Sequence, residues 1–233
     1  MPAPKANPQY MVTGKVRASY FFGITPAQDK DDDGNIKIKY RLQIIIDKTD
    51  KDTLTKYKAC LEATKRDPKA LSKWGGAVPG KLTLPLRDGD TETDDDGKPM
   101  DKEIYGGKFF MNVGTFDKPG IIGPDGQPPY LLDETGDPVI DREHGGKKYD
   151  PQFIVSGDHV RVSLKFYGYA AKGKKGITAG LNNIQLIHKG TQIGGRRKAE
   201  DDFNDGFVDD PAPAGETSDG FDNADDPLAA LGI

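Results

Sequence analysis

The sequence predicts a mainly β protein: a small five-stranded Greek-key barrel with one helix, long loops and a disordered acidic tail. Three observations carry that expectation. The hydrophobic content is 35% and there are 29 glycines among 233 residues, a composition suited to a modest core with many turns. Several short segments alternate apolar and polar residues at a period of two, the signature of half-buried strands. The charge is also divided along the chain. Glu200 to Ile233 carries eleven carboxylates and no Lys or Arg, so the net charge of −4 leaves about +7 on residues 1–199. A basic body joined to an acidic string points to a body that meets polyanions.

Taking the elements in order, Val12 to Phe22 alternates as a strand. Val12, Val16, Ala18, Tyr20 and Phe22 fall on its core side; Lys15, Arg17, Ser19 and Phe21 fall on the other. Pro26 and the run Asp29 to Asn35 form a turn, with Gly34 free to take positive φ. The next strand is the clearest: Ile36, Ile38, Tyr40, Leu42, Ile44 and Ile46 line one face, with Lys37, Lys39, Arg41 and Gln43 opposite. Asp52 then reads as the N-cap of a helix carrying Leu54, Tyr57 and Leu61, which Pro68 stops. The single Cys60 rules out an internal disulfide and reads as a buried thiol in a reducing cytoplasm.

Beyond Trp74 the chain loops, with a short strand over Lys81 to Leu86 and a mobile acidic excursion over Asp88 to Lys102. Lys108 to Phe116 reads as a strand, and Pro119 to Tyr149 as a Gly- and Pro-rich connection of little regular structure. Val160, Val162, Leu164 and Phe166 define the core face of His159 to Ala170, and a lysine-bearing tip returns the chain into Leu181 to His188. Short antiparallel strands of this kind make a barrel of the oligonucleotide-binding (OB) type. The helix, however, follows the second strand, where that barrel usually places it between the third and fourth.

The non-core faces of three strands combine basic with aromatic or neutral side chains and carry no acid: Lys15, Arg17 and Phe21; Lys37, Lys39 and Arg41; Arg161, Lys165, Tyr167 and Tyr169. Lys172, Lys174 and Lys175 extend them at the hairpin tip. Cations neutralise phosphates and aromatic rings stack unpaired bases, the chemistry of single-stranded nucleic acid. Neutralising about five phosphates gives a salt slope of about −3.5. Asp29 to Gly34 and Glu92 to Glu103 imitate calcium loops, yet the first has Tyr40 where a bidentate Glu belongs, and Asp-Gly turns explain both. His144, His159 and His188 are scattered, with neither metal spacing nor a nucleophile motif. Neither enzymatic activity nor a cofactor is expected. No stretch approaches the ~20 apolar residues of a membrane span, and Met1 to Lys5 lacks the apolar segment of a signal peptide.

The stretch VRVSLKFYGYAAKGKKGITAGLNNIQLIHKGTQIGGR, Val160 to Arg196, resembles bacteriophage single-stranded-DNA-binding proteins of the OB class. Lys39 to Thr53 and Phe109 to Gln127 look similar as well. The resemblance implies three parts: an N-terminal arm over residues 1–11, an OB-fold DNA-binding domain over 12–199 and a disordered acidic tail over 200–233. It implies sequence-independent coating of single-stranded DNA in phage replication or recombination, in the cytoplasm of the infected host. The tail ends in FDNADDPLAALGI, where Asp222, Asp225 and Asp226 precede Leu228, Leu231 and Ile233. By resemblance, such an end recruits replication or recombination proteins and competes with DNA for the basic face. An RNA-binding module, an assembly protein with a solubilising tail, and a homodimer remain open at this point.

Overall fold

The strand with the clearest alternation sits in the middle of the sheet because Leu42, Ile44 and Ile46 of one face are core; Ile36, expected on that face, is 63% exposed at the strand's start. In the computed structural model, which describes residues 7–30, 36–94, 96–171 and 173–194, this is β3, Ile36–Asp47. Around it run β1 (Tyr10–Val12), β2 (Val16–Lys30), β4 (Leu86–Asp88), β5 (Lys108–Thr115), β6 (Gly120–Ile122), β7 (His159–Ala171) and β8 (Lys174–His188). Three helices complete the elements: α1 (Lys51–Lys65), α2 (Pro68–Trp74) and α3 (Lys102–Tyr105). The described residues fall in the unit Met1–Gly195. Lys172 and the tail positions from Asp222 to Ile233 lie outside them.

The sheet runs β1-β7-β2-β3-β5-β8-β6, and β7 also pairs with β8. That extra ladder closes β2, β3, β5, β8 and β7 into a ring. Every ring contact is antiparallel except β5 with β8, which touch in parallel where Gly114 faces Gly180. Inside lie Val16, Ala18, Leu42, Ile44, Ile46, Met111, Val113 and, from the β7–β8 hairpin, Val160, Val162, Leu164, Phe166, Leu181, Ile184 and Leu186. Burying each large side chain stabilises the fold by about 1.5–3 kcal/mol. Phe166 is wholly buried, and Tyr57 of α1 meets it edge-on at 5.6 Å.

Strand β2 departs from the expected alternation. Its pairing with β3 slips between Ser19 and Phe22, and Tyr20 holds φ 44°, the one positive φ outside glycine among the described residues. A bulge moves the following side chains to the opposite face. Phe21 therefore turns inward against the core, while Tyr20 and Phe22 stand 66% and 44% exposed. The expectation of Phe21 outside and Tyr20 and Phe22 inside is corrected on this ground. The strand also continues through Pro26 to Lys30 rather than turning there.

Helix α1 is capped one turn-entry earlier than expected. Asp50, not Asp52, accepts the Thr53 N–H at 3.0 Å, and Asp52 instead pairs with Lys56 at 2.7 Å. Pro68 does not merely stop a helix; it opens α2 behind the cap Asp67, in the first-turn position where its missing N–H costs nothing. Gly75, at φ 89°, ends that helix. Against β7 the approach of α2 is tight, since a Cβ on Gly168 would lie 2.6 Å from Ala70 Cβ and 2.8 Å from Trp74 Cζ2. The Trp74 indole N–H donates to the Tyr169 carbonyl at 3.0 Å. Cys60 is buried, which pushes its thiol pKa up.

The acidic excursion is organised rather than loose. Lys48 Nζ binds Asp88 and Asp90 at 2.6 Å each, and the Asp94 carboxylate accepts the backbone N–H groups of Asp96 and Lys98. It delivers α3 onto the outer face of β3, where Ile45, Tyr105 and Phe110 form a second buried cluster. Gln43, expected on an open face, is buried beneath it: Tyr105 Oη donates to Gln43 Oε1 at 2.6 Å, and Gln43 Nε2 donates to Asn112 Oδ1 at 3.0 Å. The connection from Pro119 to Tyr149 likewise folds back on itself, through bridges of Tyr130 with Tyr149, Leu132 with Pro138 and Ile140 with Lys147. Lys118 and Asp141 hold its base at 2.6 Å. Burial alone would raise the Asp141 pKa, but the Lys118 ammonium and the His144 N–H outweigh it and hold the carboxyl at about 2.

Candidate nucleic-acid interface

Cross-strand pairing places one row of residues across six strands. Phe22 of β2 faces Arg41 of β3, Arg41 faces Gly114 of β5, and Gly114 faces Gly180 of β8. Gly180 then faces Lys165 of β7, and Lys165 faces Tyr10 of β1. Directly opposed residues share a face of the sheet, so the row reads aromatic, cation, glycine, glycine, cation, aromatic. All of it except Tyr10 lines one groove of about 740 Å³.

The two glycines make the floor of that groove. A Cβ on Gly114 would sit 2.8 Å from the Tyr40 carbonyl and 3.1 Å from Lys39 Cε, so the sheet closes here only without a side chain. A Cβ on Gly180 would come within 3.3 Å of the Tyr167 ring. Above the floor stand the exposed rings of Tyr20, Phe22, Phe116 and Tyr167, together with Lys39, Arg41 and Lys165. Each lysine is steered by a ring: Lys39 Nζ lies 5.6 Å from the Phe116 centroid and Lys165 Nζ 5.5 Å from that of Tyr10. Behind Tyr167, Lys73 Nζ sits 6.0 Å from the ring and donates to the Gly168 carbonyl at 3.2 Å. Arg87 also lines the groove, but Glu92 neutralises it at 2.7 Å and it lies over Phe110. Asp94 and Asp117 are the acids of the lining, and Asn112, Thr178 and Asn182 add neutral polar groups. Chemically this is a basic trough with aromatic platforms. Among the described residues no three His, Cys, Asp or Glu side chains are placed to hold a metal ion.

The sequence profile of the Enterobacter phage Enc34 ssDNA-binding protein family matches residues 9–213. The chain belongs to that family. Its fold is similar to the solved single-stranded DNA-binding protein of bacteriophage Enc34, with a TM-score of 0.57 at 18% identity over 88% of this chain and 98% of that one. The same phage protein in complex with ssDNA aligns at a TM-score of 0.56 and 18% identity, over 83% and 98% of the two chains. Bacteriophage T7 gp2.5, a single-stranded DNA binding protein, aligns at 0.46 and 13% identity over 90% and 98%. No curated protein sequence matches the chain.

Of the cations and rings singled out in the sequence of this family member, Lys39, Arg41, Lys165 and Tyr167 line the groove. The others among the described residues are placed elsewhere. Arg17 donates to the carbonyls of Gly157 and Thr191, and Arg161 Nε donates to the Thr13 carbonyl. Lys175 Nζ caps the end of α2 at the Trp74 carbonyl, 2.5 Å away. Tyr169 is half-buried against Gly176, while Lys15, Lys37 and Lys174 are exposed outside the groove lining. Phe21 is half-buried and packs against the core. Among the groove's exposed rings and its cations, four were not anticipated: Tyr20 and Phe22, hidden by the bulge, Phe116 at the strand end, and Arg87. The signal available for the floor was a glycine inside each strand, Gly114 in β5 and Gly180 in β8.

Proposed function

We propose that the protein binds single-stranded DNA without sequence selection in the groove of the ring, and that it does so in phage DNA replication and recombination. The row Phe22, Arg41, Gly114, Gly180, Lys165 carries this reading, because it sets two cations and an exposed ring around a floor with no side chains. Phosphates sit on Lys39, Arg41 and Lys165, and bases stack on Tyr20, Phe22, Phe116 and Tyr167. Stacking accepts any base because every base has a π-face. Membership of a family described by a phage ssDNA-binding protein supports the same reading. The action is binding, not catalysis.

We read the ring as an OB barrel: counting β2, β3, β5, β7 and β8 as strands one to five, its order is 1-2-3-5-4-1 with a parallel contact between three and five. The helices α1 and α2 fall between strands two and three of that count. The division into an arm, a binding domain ending near Ala199 and an acidic tail belongs to the same proposal. So do the tail's roles as recruiter of replication or recombination proteins and as competitor for the groove, and the site of action in the cytoplasm of the infected host.

Titration of a fluorescent oligo-dT at several salt concentrations, beside duplex DNA and RNA competitors, tests the function. With three groove cations on phosphates, log affinity should fall with log salt at a slope of about −2, and the DNA single strand should be preferred. Absence of binding at low salt, or preference for duplex or RNA, would overturn the proposal.

A further inference from the structure

The row does not stop where the groove stops. Its last member, Tyr10, is 44% exposed, the same fraction as Phe22 at the other end. Tyr10 pairs directly with Lys165 across β1 and β7, so both side chains rise from the same face. Lys165 lines the groove, and its ammonium lies 5.5 Å from the centroid of the Tyr10 ring. Tyr10 also borders a second recess of about 310 Å³, between β1 and α1, walled by Pro8, Met11, Val12, Ala59 and Cys60 with Lys56 at its rim. An apolar recess beside an exposed ring and next to cations suits a nucleobase whose phosphates stay outside. Val12, also 44% exposed, widens the apolar wall.

We propose that Tyr10 is a base-stacking residue for the strand after it leaves the groove, with the recess between β1 and α1 receiving that base. This rests on the single-stranded DNA reading of the groove. Lys165 then serves two neighbouring nucleotides, one on each side of β7, and the bound strand runs from Phe22 to Tyr10. Tyr10→Ala removes the platform without touching the groove floor, and Tyr10→Phe keeps the ring.

The test uses the full chain and oligo-dT of about 4 to about 16 nucleotides, the range of OB site sizes. For Tyr10→Ala the affinity deficit should grow with oligonucleotide length and reach about tenfold on the longest, whereas Tyr10→Phe should bind like the parent. A 5-iododeoxyuridine strand should photo-crosslink to the peptide containing Tyr10. Wild-type affinity of Tyr10→Ala at every length would overturn the proposal. So would crosslinks confined to β3, β5 and β8, or a Tyr10→Ala effect on self-association alone, which would assign the recess to a second copy of the chain. Loss of binding in Tyr167→Ala beside unchanged Tyr10→Ala would leave the groove standing and remove only this extension.

Discussion

Replacing Phe116 and Tyr167 together by alanine should weaken single-stranded DNA binding by about 2–6 kcal/mol, because each stacked base contributes roughly 1–3 kcal/mol. The lower bound is about a thirtyfold loss of affinity. The two rings are 66% and 40% exposed and rise from opposite sides of the groove floor. Their removal deletes no core contact, so the circular dichroism spectrum and melting temperature should stay near those of the parent. No charge is lost either, and the salt slope should remain about −2. A double variant that binds as tightly as the parent would mean that bases do not stack in this groove.

Phe166→Ala is expected to have the largest effect on stability, about 3–5 kcal/mol. Phe166 is fully buried, lies inward between the outward-facing Lys165 and Tyr167, and packs edge-on against Tyr57 of α1. The cavity left behind borders strand β7 and helix α1, and neither can collapse freely, since β7 is held by ladders to β1, β2 and β8. For a body of this size the melting temperature should fall by roughly 10 °C, measured by thermal denaturation. DNA saturation should recover part of that loss by mass action. A melting temperature unchanged by the substitution would contradict the packing described for the ring.

What the sequence revealed and concealed follows from range. Strand β3 was legible because Leu42, Ile44 and Ile46 all enter one core, with Tyr40 buried on the same face, so a local period of two reports a global fact. The hairpin β7–β8 was legible for the same reason. Strand β2 defeated the pattern at one residue: the bulge at Tyr20 exchanges inside for outside, and nothing in the local alternation announces it. Helix α2 was hidden because Pro68 signals a stop and a start equally well. The burial of Gln43 and Ile45 depends on α3, about sixty residues further on in the chain, and long-range covering of this kind leaves no periodic trace.

The candidate site divides in the same manner. The absence of acids from the outer faces was a compositional fact, and it pointed to Lys39, Arg41, Lys165 and Tyr167. It could not tell these from Arg17, Arg161 and Lys175, whose donors are directed to backbone carbonyls by tertiary packing. Nor could it find the glycine floor, which exists only because β5 and β8 meet at Gly114 and Gly180. A groove is a property of the closed ring, not of any one strand.

The central claim is that the groove cations, and not the wider basic surface, meet the phosphates. Its most direct test compares the salt dependence of oligo-dT binding in two triple variants. One removes Lys39, Arg41 and Lys165 by alanine substitution, and the other removes Lys15, Arg161 and Lys174. If the groove carries the DNA, the first variant should lose about 2 from the slope of log affinity against log salt, and the second should keep the parent's slope. A slope preserved in the first and flattened in the second would place the DNA on the outer faces of the sheet and contradict the account.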